Sequence, residues 1–181
     1  MALQNAAELA DVLGRPDRLG RVFARHAYGM RVWVDRFSAR IAAMPGPEDK
    51  ALVAAVVADN ARHMLLFRDR ARALGVDPDG YRCPAEGEII YTRLAELRTV
   101  DELIGYALGS LDHFAELLGV YRAAAGGADA DTIDAVRADV DRDRAALRAR
   151  LGPRGRRLAD EAHERYRLRE LVEIPLYAHA G

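Results

Sequence analysis

Five polar side chains interrupt the hydrophobic stripes of the predicted helices, each near the middle of its helix. They are His26, Asn60, His63, Asp112 and Asp143. Burying such a group without a partner costs about 1 to 3 kcal/mol, and more when the group is charged. Imidazoles and carboxylates at this depth can bind a transition metal or act as general acid and base. We therefore take His63, Asp112 and Asp143 as the candidate catalytic residues.

The same residues allow a metal and a metal-free interpretation. One histidine and two carboxylates can hold a single Fe(II) on one face and leave open coordination positions, and His26 could be a fourth ligand. In the metal-free alternative, His63 pairs with Asp112 or Asp143, and Asn60 bridges them. A histidine beside an aspartate still has a tunable proton affinity near neutral pH. The sequence leaves both alternatives open.

Helices are predicted to position these residues along nearly the whole chain. Apolar residues recur at helical spacing, and alternation at period two is almost absent. The fold class is therefore all-α. A capping box at Thr99 and Glu102 marks the start of the third long helix. The predicted helices span residues 17–44, 48–74, 99–125, 129–151 and 154–172, with a connection over 75–98 that contains a short helix at 88–96, and Pro175 is expected to break the chain after the last one.

The lengths of the connections predict how the helices are arranged. The first four long helices are joined by a short, a long and a short connection. This pattern is typical of an antiparallel four-helix bundle with one long crossover, here with an extra C-terminal helix. We expect one domain over residues 1–181, with the core bundle at about 17–151 and the fifth helix at about 154–173.

Three motifs on these helices carry a resemblance to a known family. They are Asn60-Ala61-Arg62-His63, Asp143-Arg144-Ala145-Ala146 and Gly109-Ser110-Leu111-Asp112-His113-Phe114. The first two lie where the Glu-x-x-His motifs of di-iron helical proteins would be. The chain resembles the ferritin-like superfamily, nearest the branch similar to the tRNA methylthio-adenosine hydroxylase. The resemblance implies a ferritin-like bundle with a metal site built from a Glu on each of two helices and a Glu-x-x-His on each of the other two.

The chain departs from that ligand set at three positions. Met30 lies where the Glu of the first helix is expected, Asn60 replaces a bridging Glu, and Ala146 replaces a His. Two irons in such a site are held by about four carboxylates. The remaining ligands are too few for a standard di-iron centre, and a single Fe or no metal is expected.

A pocket between the four helices is expected to hold the substrate. Its predicted lining is His26, Met30, Trp33, Asn60 and Phe114. The first hypothesis is an enzyme that oxidises, hydroxylates or rearranges a small molecule there. The alternative is a non-catalytic bundle that has lost its di-iron centre and binds a ligand or a partner, and a homodimer is left open.

The composition of the chain indicates which partners are excluded and in which compartment the protein is expected. The 181 residues include 27 basic and 28 acidic side chains and one cysteine, Cys83. A chain with this charge balance lacks the excess of basic residues expected of a nucleic-acid-binding protein. Residues 1–17 are too short for a helix-turn-helix. The first fifteen residues lack a signal-peptide pattern, and no apolar stretch reaches the ~18 to 20 residues that cross a bilayer. We expect a cytoplasmic protein that binds neither nucleic acid nor membrane.

Five other polar residues are expected to be solvent-exposed. Asp139 and Asp141 resemble part of a calcium loop but lie on a continuous helix, without the glycine and final Glu of such a loop. His113, Glu116 and His163 fall outside the hydrophobic stripes. No role is predicted for these five residues.

Overall fold

The structure of the chain is a computed structural model that describes residue 13, residues 15–83 and residues 85–179, with the backbone alone at 16, 85–90 and 167–179. This part of the chain contains six α-helices and no strand, which confirms the all-α prediction. No helix in it is long and apolar enough to cross a membrane. The helices are α1 (Pro16–Ser38), α2 (Pro47–Ala73), α3 (Ala85–Glu96), α4 (Val100–Ala124), α5 (Gly127–Ala149) and α6 (Pro153–His179).

Two helix ends differ from the prediction by more than three residues. The first helix ends at Ser38 instead of residue 44, and a 3-10 turn over Ile41–Ala43 follows. Tight 3-10 turns are common beyond helix ends, and the Pro45 that comes next disfavours helical backbone at the preceding residue. The last helix continues through Pro175 to His179. A proline inside a helix removes one backbone hydrogen bond, but it can kink the helix without ending it.

Two expectations fall outside the described part of the chain. Residues 1–12, on which the expected absence of a signal peptide partly depends, are not described. The side chain of Leu171, predicted for the last hydrophobic stripe, is likewise not described.

The capping box at the start of α4 is confirmed. The Thr99 hydroxyl accepts a hydrogen bond from the Glu102 backbone N–H at 3.2 Å. The Glu102 carboxylate accepts from the backbone N–H groups of Thr99 and Arg98, each at 3.0 Å, and these two bonds lower the pKa of Glu102. The box satisfies donors that the first helical turn leaves without partners.

Thr99→Ala should lower the free energy of unfolding by about 1 kcal/mol, because it removes the cap at the N-terminus of α4. Urea denaturation followed by circular dichroism measures the difference. Thr132→Ala is the control, since the Thr132 hydroxyl bonds only to a carbonyl within its own helix, that of Ala128. An equal loss in both variants would contradict the role of the cap.

The helices pack in two close pairs that α5 connects. α1 packs along α2, and α4 packs along α6, while α5 contacts both α2 and α4. The short α3 lies against α1 and α6. Two hydrophobic clusters fill the interior, one around Phe23, Phe67 and Tyr121 and the other around Phe37 and Tyr106.

The α4–α6 pair is in backbone contact. A Cβ added at Gly105 would lie 2.1 Å from the carbonyl oxygen of Gly155, and one at Gly109 would lie 2.0 Å from that of Ala159. The residue numbers rise together on both helices, so α4 and α6 run parallel. At the start of α6, the Asp101 carboxylate accepts hydrogen bonds from the backbone N–H groups of Gly152 and Gly155 at 2.6 and 2.8 Å. The absence of a Cβ at Gly105 and Gly109, together with the Asp101 carboxylate, sets the register between the two helices.

Candidate functional site

His63 and Asp143 both lie in a polar cluster between α2 and α5. The Nε2 atom of His63, which is 2% exposed, lies 3.0 Å from Oδ2 of Asp139. Asp143 is also buried and hydrogen-bonds to Asp59. Two arginines cover the carboxylates from the solvent side and each pairs with both Asp59 and Asp139. The α2–α5 polar cluster comprises Asp59, Arg62, His63, Asp139, Arg142 and Asp143.

Burial and neighbouring charges set the protonation states of this cluster. Burial lowers the pKa of His63 against the opposing effect of Asp139. Burial disfavours ionisation of Asp139, but hydrogen bonds from His63, Arg142 and Arg62 outweigh it and lower its pKa to about 2. Burial and the negative charge of Asp59 raise the pKa of Asp143 to about 7. At neutral pH the neutral His63 therefore donates its Nε2 proton to the ionised Asp139, and Asp143 is about half protonated.

Asp112 lies on a different face, between α4 and α5. Its carboxylate accepts hydrogen bonds from Nε of Arg144 at 2.7 Å and from Arg148 at 2.9 Å. The metal-free network therefore has different members from those predicted, because His63 pairs with Asp139. The amide of Asn60 bridges no carboxylate in the described structure and donates to the Val56 carbonyl at 2.9 Å.

The three predicted ligands do not gather around one point. Among the side chains that the structure describes, His63, Asp112 and Asp143 do not form a group with all ligand atoms within 4.8 Å of one another. Arginines also hold Asp59, Asp112 and Asp139, so these carboxylates already have cationic partners. The geometry gives no place where one metal ion could bind the predicted set.

The five residues predicted for the substrate pocket line one pocket between α1, α2 and α4. The pocket has a volume of about 60 Å³ and lies where the two hydrophobic clusters meet. None of His63, Asp112 and Asp143 lines it. Its lining is Arg25, His26, Gly29, Met30, Trp33, Val56, Asn60, Tyr91, Ala107, Ser110, Leu111, His113, Phe114, Leu117 and Tyr166.

Three of the polar side chains in this pocket are of basic residue types. Arg25, His26 and His113 line it, and the described lining contains no carboxylate. The Ser110 hydroxyl is used within its own helix, where it donates to the Ala107 carbonyl at 2.8 Å. Basic side chains beside an apolar lining favour a ligand with an anionic group.

The hydrogen bonds of His26 indicate which ring nitrogen carries its proton. Its Nε2 atom lies 3.3 Å from a guanidinium nitrogen of Arg25 and 3.0 Å from the Tyr121 hydroxyl. A guanidinium group can only donate, so Nε2 is the acceptor. In the neutral ring the proton is therefore on Nδ1.

A third group, whose residues were predicted to be exposed, lies between α4 and α6. His113, Glu116 and His163 have ligand atoms within 4.8 Å of one another. The exposure predicted for His113 is wrong, since it is 2% exposed, and His163 is half-buried, whereas Glu116 is exposed as predicted. The predicted exposure of Asp139 is also wrong, because its carboxylate lies in the α2–α5 polar cluster, while Asp141 is exposed as predicted.

No protein-family model, curated protein or solved structure matches the chain. The ligand chemistry is therefore inferred from the side chains of the pocket and of the polar groups around it. The pocket between α1, α2 and α4 is partly open to solvent, and its polar side chains lie among apolar ones, as is typical of small-molecule sites.

Proposed function

We propose that the protein binds a small, largely apolar molecule that carries a carboxylate, in the pocket between α1, α2 and α4. The observation that supports this most strongly is the lining itself, which is apolar except for a few polar side chains, three of them basic. A guanidinium group matches a carboxylate geometrically because it can donate two parallel hydrogen bonds. Arg25 would hold the carboxylate, and Met30, Trp33 and Phe114 would pack against the apolar part of the ligand.

The volume of the pocket limits the size of the ligand. The pocket volume of about 60 Å³ is small, which favours a compact ligand. A short-chain carboxylate therefore matches the pocket better than a multi-ring molecule. Phe114 is only half-buried, so its rotation would enlarge the pocket for a branched or aromatic acid.

His26 is the group through which this pocket would perform acid–base chemistry. Arg25 and Tyr121 both contact its Nε2 atom, and Phe114 packs against its ring. Catalysis at His63, Asp112 and Asp143 is less well supported, because other protein side chains already engage them. The alternative is a binding protein without catalysis, in which His26 only orients the ligand.

We also propose a ferritin-like arrangement for the helices that form this pocket. In it, α1, α2, α4 and α5 are the four bundle helices, and α3 belongs to the long crossover between the second and third of them. The contacts of α1 with α2, α2 with α5 and α5 with α4 support this order. The parallel α6 would then be an addition to the bundle that packs along α4.

Tryptophan fluorescence should detect ligand entry, because Trp33 is the one tryptophan of the chain and lines the pocket. Its indole N–H donates to the Tyr166 hydroxyl at 2.9 Å, a bond that a ligand would perturb. We expect propionate, isovalerate or benzoate to shift the emission saturably. The matching amides should bind at least about 10-fold more weakly, a difference of about 1.4 kcal/mol.

Arg25→Gln should weaken binding of the carboxylate at least about 10-fold without changing the weak binding of the amide. Arg36→Gln is the matched control, since Arg36 is exposed on the same helix and does not line the pocket. Circular dichroism establishes that both variants keep their helix content. Equal affinity for acid and amide, or unchanged acid binding in Arg25→Gln, would rule the proposal out.

A further inference from the structure

We propose that His113, Glu116 and His163 bind one divalent transition-metal ion between α4 and α6. The group offers two imidazole nitrogens and one carboxylate. Oε1 of Glu116 lies 2.9 Å from Nε2 of His163, and its Oε2 lies 3.8 Å from Nδ1 of His113. The three residues come from two helices that are already in backbone contact.

These separations are close to those of a bound metal site. Zinc bonds to histidine nitrogen and carboxylate oxygen at about 2.0 to 2.2 Å, which places tetrahedral ligand atoms about 3.4 Å apart. The two contacts of Glu116 lie on either side of that value. The ring centroids of His113 and His163 are 5.7 Å apart, so small rotations of the side chains would bring all three ligands onto one ion.

The contact between the helix backbones holds the two histidines opposite each other. Gly105, Gly109 and His113 follow at intervals of four residues on α4, and Gly155, Ala159 and His163 do so on α6. The first two pairs are the positions where the backbones touch. Because residues four apart share a helix face, the third pair continues the same line of contact. Most of the ordering that a metal site requires is therefore present before the ion binds.

The surroundings give the ion a route in and a free coordination position. Glu116 and His163 line an open groove between α4, α5 and α6, and the side chain of Glu116 is 62% exposed. His113 lines the pocket between α1, α2 and α4. Three protein ligands leave at least one position for water, as in catalytic zinc and non-haem iron sites. The metal site and the proposed ligand pocket share His113, but Glu116 and His163 do not line that pocket.

Titration of the tag-free chain with Co²⁺, followed by its visible d–d absorption, tests the site directly. We expect one ion per chain, displaced stoichiometrically by Zn²⁺, and a Zn²⁺-dependent rise in the melting temperature. Glu116→Gln should weaken binding at least about 10-fold, as should His163→Gln. Both substitutions are at partly or largely exposed side chains, so the fold should tolerate them.

Glu164→Gln is the matched control, because Glu164 lies in the same groove, next to His163 in sequence, but outside the metal group. It should bind Co²⁺ like the wild type. Absence of stoichiometric binding would overturn the proposal. Wild-type affinity in Glu116→Gln and His163→Gln would also overturn it, since the ion would then be held elsewhere.

Discussion

Gly109→Ala should lower the free energy of unfolding by about 2 to 3 kcal/mol, although alanine is the better helix former. The added Cβ would lie 2.0 Å from the carbonyl oxygen of Ala159 and 2.7 Å from its carbonyl carbon. These are backbone atoms of α6, so no side-chain rotation can make room, and the two helices must separate. Overpacking of this kind costs about 1 to 3 kcal/mol, occasionally more. Urea denaturation measures the difference.

Gly119→Ala is the matched control on the same helix. A Cβ at Gly119 would meet nothing within 4 Å, so the substitution should stabilise the protein by about 0.5 to 1 kcal/mol through helix propensity alone. The two variants thus make the same chemical change with opposite expected signs. If Gly109→Ala were as stable as Gly119→Ala, α4 and α6 would not be in backbone contact.

The packing of α6 against α4 also explains why the burial of His113 was predicted wrongly. Periodicity predicts which face of a helix is buried when the helix has one buried face. Residues 103–110 of α4 are all buried, because α4 packs against α6 as well as α5. His113 was therefore predicted to be exposed although it faces α6. The repeated four-residue spacing of Gly105, Gly109 and His113 was the available signal for this second contact.

The polar residues of α2 and α5 show what hydrophobic periodicity within one helix can and cannot predict. Burial of His63 and Asp143 followed from their places on the hydrophobic stripes and is confirmed. Their partners did not follow, since Asp59 and Asp139 lie at the edges of those stripes and reach inward only because another helix faces them. Pairing across helices depends on their relative rotation and register, which periodicity within one helix does not contain.

Asp143→Asn should stabilise the protein at pH 8 by about 2 kcal/mol. In the folded protein Asp143 keeps its proton up to a pKa of about 7, whereas in the unfolded chain it loses the proton near pH 4. Between these values the folded state binds more protons, so the stability of the wild type falls as pH rises. Three pKa units correspond to about 4 kcal/mol, and relaxation around the charge reduces this. The asparagine carries no charge and can still donate a hydrogen bond to Asp59.

Denaturation of both proteins from pH 4 to pH 9 separates this effect from the others in the cluster. The stabilisation by Asp143→Asn should be small at pH 4, grow to pH 7 and then stay constant. The contribution of His63 to the pH dependence of stability has the opposite sign, because below pH 6.5 the unfolded chain binds a proton that the buried ring binds less readily. This contribution is present in both proteins.

Asp141→Asn is the control for removing a negative charge from the same helix. Asp141 is exposed and pairs with Arg144 at 2.8 Å, so its substitution should change the stability by less than about 1 kcal/mol, with little dependence on pH above 5. A stabilisation by Asp143→Asn that did not vary with pH would show that the pKa of Asp143 is not raised in the folded protein. A loss of stability at pH 8 would show that the ionised carboxylate of Asp143 is favourably paired in the folded protein.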